Sequence, residues 1–224
     1  MHIKTSDQEP FEMGFGNYTC NLGLHICGLY TSVKERDEII LGFLHAGVLH
    51  SDQQMYCPAE RSAEDFSETF GDLYPECKHH LSDPDSFYIT TPEALYYQNG
   101  RFSPMDMEKR LNIFFNESQK KGKRTIRATA EMVWALNKDI PGVEHLMVYE
   151  SRLNYFIPGK PWISICLYNI TKFSGSMIMN VLRTHPFSIS GGVITRNPFY
   201  QDPDEWLRDN FPQFLNIPQS DESC

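Results

Sequence analysis

The segment that most restricts the fold is Leu24-His25-Ile26-Cys27-Gly28-Leu29-Tyr30, followed at once by Thr31-Ser32-Val33-Lys34-Glu35. The apolar run reads as a buried first strand. Ser32, with Glu35 three residues on, has the form of a capping box opening a helix with Ile40, Phe43, Leu44 and Val48 on one face. Strand, short loop and helix is how phosphate-binding α/β domains begin. Here, however, the loop has no glycine and no Gly-Lys-Ser/Thr, so the backbone amide cradle for a triphosphate is missing. NTP hydrolysis is therefore not expected. In the same place His25 and Cys27 stand two residues apart, on one face of the strand.

The alternation continues along the chain. Gln54–Cys57 reads as a second strand stopped by Pro58, with a weaker helix near Ala63–Phe70. Ser86–Thr90 is a third strand, ended by Pro92. The Asn99-Gly100 turn and Pro104 lead into a helix over Met105–Lys121, which Gly122 breaks before a fourth strand, Arg124–Ala128. Glu144–Ile157 reads as helix, Trp162–Tyr168 as a fifth strand, and Gly175–Arg183 as a helix ending before Pro186. Phe187–Ser190, Gly191-Gly192 and Val193–Thr195 suggest a closing hairpin. Strands alternating with helices predict an α/β fold with a doubly wound, mostly parallel sheet flanked by helices. Residues 1–21 read as an N-terminal arm, 22–200 as the domain, and 201–224 as a tail wrapping the surface.

At 224 residues the chain suffices for one well-buried core. Its net charge of −9 opposes nonspecific attraction to nucleic acid or anionic membrane. The basic run Lys120–Arg124 suits a helix end, where cations complement the dipole. No apolar stretch approaches the roughly 20 residues of a membrane span, and the first residues are too polar for a signal peptide, so a cytoplasmic protein is expected. The six cysteines are scattered, which fits reduced thiols rather than a disulfide framework.

In an open α/β sheet, ligands sit beyond the carboxyl ends of the strands. Those ends offer Tyr30, Arg127, Tyr168 and Asn169, with His25 and Cys27 slightly deeper, and all six are expected to converge on one cavity. His25 could equally be a core histidine satisfied by a carbonyl, and Cys27 a packing residue. Glu150 falls within the apolar stripe of Val143, Leu146, Met147, Leu153 and Ile157. A buried carboxylate needs a basic or hydroxyl partner, Arg127 being the first candidate and a tyrosine the other, unless it meets a ligand. His185 either caps a helix end or faces the site, and Trp134 is either core or the wall of an apolar pocket. Cys77 with His79-His80 lacks a second ligand pair at zinc-finger spacing, and a nucleophile at Cys27 or Cys166 would need a nearby histidine. No catalytic residue, metal site or cofactor is assigned.

Taken in order, these pieces resemble the MEDS family, the sensory domain named for methanogens, methylotrophs and the regulator of dichloromethane metabolism. The matching segments are His25-Ile26-Cys27 with Tyr30, Phe43–Gly47, Thr90–Glu93, Gly100–Phe102, Ile126-Arg127 with Met132 and Trp134, Tyr149-Glu150 with Leu153-Asn154, Cys166–Tyr168, Leu182–Pro186 and Asn197–Tyr200. The resemblance implies a RecA-like domain without the phosphate-binding loop, sensing small molecules, with hydrocarbon derivatives proposed, in prokaryotic signalling. It implies that His25 and Cys27 belong to the sensing pocket. It also implies a partner such as a histidine kinase or transcription regulator, with a homodimer left open. Asn169 departs from the acid that family members tend to carry. No output module is recognised, so the signal is expected to pass through a partner surface. The alternatives are a degenerate RecA-type nucleotide-binding protein and a metal or haem sensor using His25 and Cys27.

Overall fold

The computed structural model describes residues 11–16, 18–122, 125–215 and 217. A seven-stranded sheet is formed by β3 (Leu24–Tyr30), β4 (Gln53–Cys57), β5 (Phe87–Ile89), β6 (Ile126–Glu131), β7 (Trp162–Asn169), β8 (Phe187–Ser190) and β9 (Val193–Arg196). Its order is β5-β4-β6-β7-β3-β8-β9, and every neighbour pair is parallel except β8 with β9. The central strands β6 and β7 are buried along their whole length, as strands covered on both faces must be.

On one face lie α1 (Val33–Leu49) and α2 (Ala63–Leu73), which pack Ile39, Ile40, Phe43, Leu44, Phe66 and Phe70 against Ile26, Ile163, Ile165 and Leu167. On the other, α3 (Pro92–Tyr96), α4 (Pro104–Lys120), α5 (Leu146–Phe156), α6 (Gly175–Thr184) and α7 (Pro203–Asn210) cover Cys27, Ala128, Cys166 and Tyr168. The doubly wound sheet and the closing hairpin are thus as the sequence predicts. Successive residues point to opposite faces, so His25 and Cys27 belong to the α5 layer and Tyr30 to the α1 layer.

Two helix ends matter for the site. The Ser32 side chain accepts from the Glu35 amide, as expected. The return bond falls one residue early, because Glu35 accepts from the Thr31 amide. Helix α6 stops at Thr184 because Pro186 forces the preceding residue out of the helical region, and His185 is extended at φ −121°, ψ 119°.

Both terminal segments are more built-in than expected. In the arm, β1 (Phe11–Glu12) pairs with β2 (Thr19–Cys20), and Phe11, Met13 and Cys20 are buried. The tail carries α7, whose Trp206 and Leu207 are buried in the α5 layer. The ends of the chain, including Cys224 and Pro218, and Lys123-Arg124 of the basic run lie outside the described residues.

Candidate functional site

The α5 layer contains a cluster of ionisable groups with almost no exposure. Glu150, in the middle of α5, is 0 % exposed, as the apolar stripe around it requires. Its Oε1 accepts from the Tyr168 hydroxyl at 2.6 Å. Its Oε2 lies 3.1 Å from His25 Nε2, 3.4 Å from His185 Nε2 and 3.5 Å from the Cys166 thiol. Cys166 Sγ is also 3.6 Å from His25 Nε2. The two imidazoles are stacked obliquely, with centroids 4.0 Å apart.

Each group arrives from a different element. His25 and Cys166 come from adjacent parallel strands, β3 and β7, and face α5. His185 comes from the turn between α6 and β8, a turn held by Asn197, whose amide donates to the His185 carbonyl at 2.7 Å.

The outer ring nitrogens are also tied. Asn154 donates its amide to the carbonyls of Glu150, Ser151 and Thr184, so its Oδ1 is left to face His25 Nδ1 at 3.2 Å. His185 Nδ1 lies 2.7 Å from the Val181 carbonyl and can only donate there. Both rings therefore carry the proton on Nδ1 and turn Nε2 inward.

Burial, together with the neighbouring His185, lowers His25 to about 4. Burial alone would raise Glu150, but the two imidazoles, when protonated, outweigh it and hold the carboxyl well below the usual range. Burial pushes the Cys166 thiol and Tyr168 hydroxyl far up, helped by the Glu150 charge. The cluster is thus one carboxylate surrounded by donors and lone pairs in a dry space. One ring nitrogen from each histidine, the thiol and a carboxylate oxygen all lie within 4.8 Å of one another, a set that could hold a metal ion.

Residues 24–186, well over half of the chain, match the family described as the MEthanogen/methylotroph, DcmR Sensory domain. The chain belongs to the MEDS family. A curated relative, the transcriptional repressor DcmR of Methylorubrum extorquens, is 23% identical over 164 residues, 72% of this chain and 57% of the repressor. The chain thus spans little more than half the length of that relative. Among solved structures it is similar to the flagellar accessory protein FlaH of Methanocaldococcus jannaschii, at TM-score 0.52 and 14% identity over 81% of this chain and 83% of the other. It is also similar to the KaiC-like protein PH0186 of Pyrococcus horikoshii, at TM-score 0.53 and 8% identity over 80% of this chain and 79% of the other. These likenesses show a RecA-like fold.

In this MEDS domain the six residues expected in one cavity are divided among separate places. His25 and Tyr168 meet Glu150. Cys27 is buried beside them, but its thiol donates to the Phe187 carbonyl at 3.6 Å. Tyr30 and Asn169 both reach Glu60, at the carboxyl edge on the α1 side.

Arg127 is the clearest correction. Strand β6 runs on to Glu131, three residues past its expected end, so Arg127 is its second residue and lies near the amino edge. It also points to the α1 face, where it donates to Asp52 at 2.9 Å and to the Phe43 carbonyl at 3.0 Å. It stacks over the Phe11 ring at 3.9 Å. A Cβ on Gly47 of α1 would come within 2.5 Å of the Arg127 chain, so a glycine is needed there. Arg127 is therefore not the partner of Glu150.

Trp134 is core, stacked on Tyr96 at 4.5 Å. His185, read as a cap or a site residue, is in the cluster. Cys166 and Asn154 belong to it too. The sequence offers Cys166 only as a nucleophile; the parallel register sets it opposite Cys27 and so places it beside His25.

Proposed function

We propose that this chain is the ligand-sensing part of a transcription-regulating system, and that its ligand is a small, weakly polar organic molecule received between the sheet and helices α4 and α5. The observation that carries this reading is a small cavity of about 20 Å³ lined by Met55, Leu95, Met107, Leu111, Leu153 and Cys166. That is room for about one water-sized or methyl-sized group, and a lining so apolar favours carbon over water. Three of its residues, Met55, Leu95 and Leu111, also line an outer groove of about 380 Å³, so these side chains form the wall between the cavity and the groove. Cys166 is among the lining residues and its thiol touches Glu150, so a molecule in the cavity would lie beside the Glu150 cluster. The sensory character of the family and the repressor among its relatives support the regulatory half of the reading. The signal passes to a partner such as a histidine kinase or transcription regulator.

Thermal melting against a panel of chloromethanes, short alcohols and aldehydes tests it. At least one should raise the melting temperature saturably, and Ala128→Val, which fills the cavity wall, should remove the effect. A folded chain that no member of the panel stabilises would defeat the proposal.

The nucleotide-binding alternative is disfavoured by the carboxyl edge itself. Where a RecA-like domain would place phosphates, beyond β3 and α1, this chain has Glu60 and Glu131 bound to Arg36, Lys172, Tyr30 and Tyr56. Two carboxylates already hold the cations that an anion would need.

A further inference from the structure

We infer that His25, Glu150, Cys166 and His185 form a buried four-coordinate site for a divalent metal ion of the zinc class. The inference stands apart from the ligand-sensing reading, since an organic ligand could be sensed without an ion and an ion held without sensing.

The argument begins with the direction of the lone pairs. Both histidines spend Nδ1 on an oxygen acceptor, Asn154 Oδ1 and the Val181 carbonyl. In neutral rings the inward Nε2 atoms then carry lone pairs; both face Glu150 Oε2, that of His25 also faces the sulfur of Cys166, and that of His185 lies within 4.8 Å of it. Two lone pairs, a carboxylate oxygen and a sulfur meeting in a dry space repel unless a positive charge sits among them. That charge is either a proton or a metal ion.

The distances discriminate between the two. A proton shared between one imidazole and the carboxylate makes a single short contact of about 2.7–2.9 Å and leaves the rest loose. Here the four contacts run from 3.1 to 3.6 Å, and none is short. Metal–ligand lengths of about 2.0–2.1 Å to nitrogen or oxygen and about 2.3 Å to sulfur set tetrahedral edges of roughly 3.3 Å between N or O donors and roughly 3.6 Å to sulfur. The observed N···O edges are 3.1 and 3.4 Å, two of the three edges to sulfur are 3.5 and 3.6 Å, and all four donor atoms lie within 4.8 Å of one another. The donor set of two imidazoles, one thiolate and one carboxylate suits zinc better than magnesium or calcium, which prefer oxygen.

The surroundings fit as well. Metal-bound histidines usually donate their other nitrogen to a carbonyl or carboxylate, and bound carboxylates are themselves hydrogen-bonded. Asn154, the Val181 carbonyl and the Tyr168 hydroxyl fill these places. The ion would add a bond common to β3, β7, α5 and the α6–β8 turn, beyond the hydrogen bonds that already join them in pairs.

The test uses the full chain, reduced and stripped of metal, titrated with cobalt(II) and followed by visible and near-ultraviolet absorption. One equivalent should bind, with the intense visible bands of a tetrahedral site and a sulfur-to-cobalt charge-transfer band. Cys166→Ser should abolish the charge-transfer band while circular dichroism shows the fold retained. Asn154→Leu and Tyr168→Phe should weaken binding on the order of 10–100-fold. Cys27→Ser should change nothing. So should Cys77→Ser, in the half-exposed His45–Glu76–Cys77 group, the other candidate set among the described residues. A folded wild-type chain that binds no cobalt overturns the inference, as does a charge-transfer band that survives Cys166→Ser or is lost with Cys27→Ser or Cys77→Ser.

Discussion

Asn154 sets the tautomer of His25. Three carbonyls claim the Asn154 amide nitrogen, so its oxygen faces His25 Nδ1 at 3.2 Å and leaves that nitrogen no role but donor. Nitrogen-15 spectra of the metal-free protein should show His25 protonated at Nδ1, the less common tautomer. In Asn154→Leu the same ring should lose that preference, and the protein should lose about 1–3 kcal/mol through unsatisfied buried groups. A wild-type spectrum with His25 protonated at Nε2 would contradict the assignment.

Glu150 should be costly to remove. Its carboxylate accepts from both Tyr168 and Cys166, so Glu150→Ala leaves two buried donors without their partner. The expected loss is about 3–5 kcal/mol, measured by urea unfolding. A midpoint equal to that of wild type would show that the cluster contributes nothing to the fold.

The Arg127–Asp52 pair, both side chains 0 % exposed, predicts strong non-additivity. Asp52→Ala or Arg127→Ala alone should cost about 3–5 kcal/mol, because each strands the other charge in the core. Replacing both with apolar residues should cost much less than the two single losses added together. Additive losses would mean that the two charges do not interact.

Glu60 gives a pH dependence. Burial would raise its carboxyl, but hydrogen bonds from Lys172, Tyr30 and Asn169 outweigh it and hold it below its ordinary 4.5. A depressed carboxyl stabilises the fold above the unfolded value and loses that contribution as pH falls through the folded one. Wild type should therefore lose stability on acidification below about 4.5, and Glu60→Gln should show a shallower fall over the same window. Parallel acid limbs for the two proteins would rule out the contribution from Glu60.

The chain should not hydrolyse ATP or GTP. No amide cradle or P-loop lysine follows β3. Magnesium-dependent turnover that survives re-purification and disappears when the loop at Lys34 is changed would reverse this.

The sequence by itself determined the layer order of the fold. Apolar runs bounded by Pro58, Pro92 and Pro161 specify strands, and Ser32 before a 3.6-period stripe specifies α1, because these are local requirements of backbone and capping. It also determined that Glu150 is buried, since helical spacing places it among Leu146, Met147 and Leu153. The family was legible too, through the order of short motifs. What only the tertiary structure decided was which charges meet. A strand ending at Ala128 would put Arg127 at the carboxyl edge, as a candidate partner for Glu150. The strand continues because Ala130 and Glu131 pair with Cys57, Cys166 and Leu167 on its neighbours, and those partners are distant in sequence. That register sends Arg127 to the opposite face and leaves Glu150 to His25, His185, Cys166 and Tyr168. A strand's side chains alternate with period two, so register and direction decide which face a residue serves, and no local pattern carries that information.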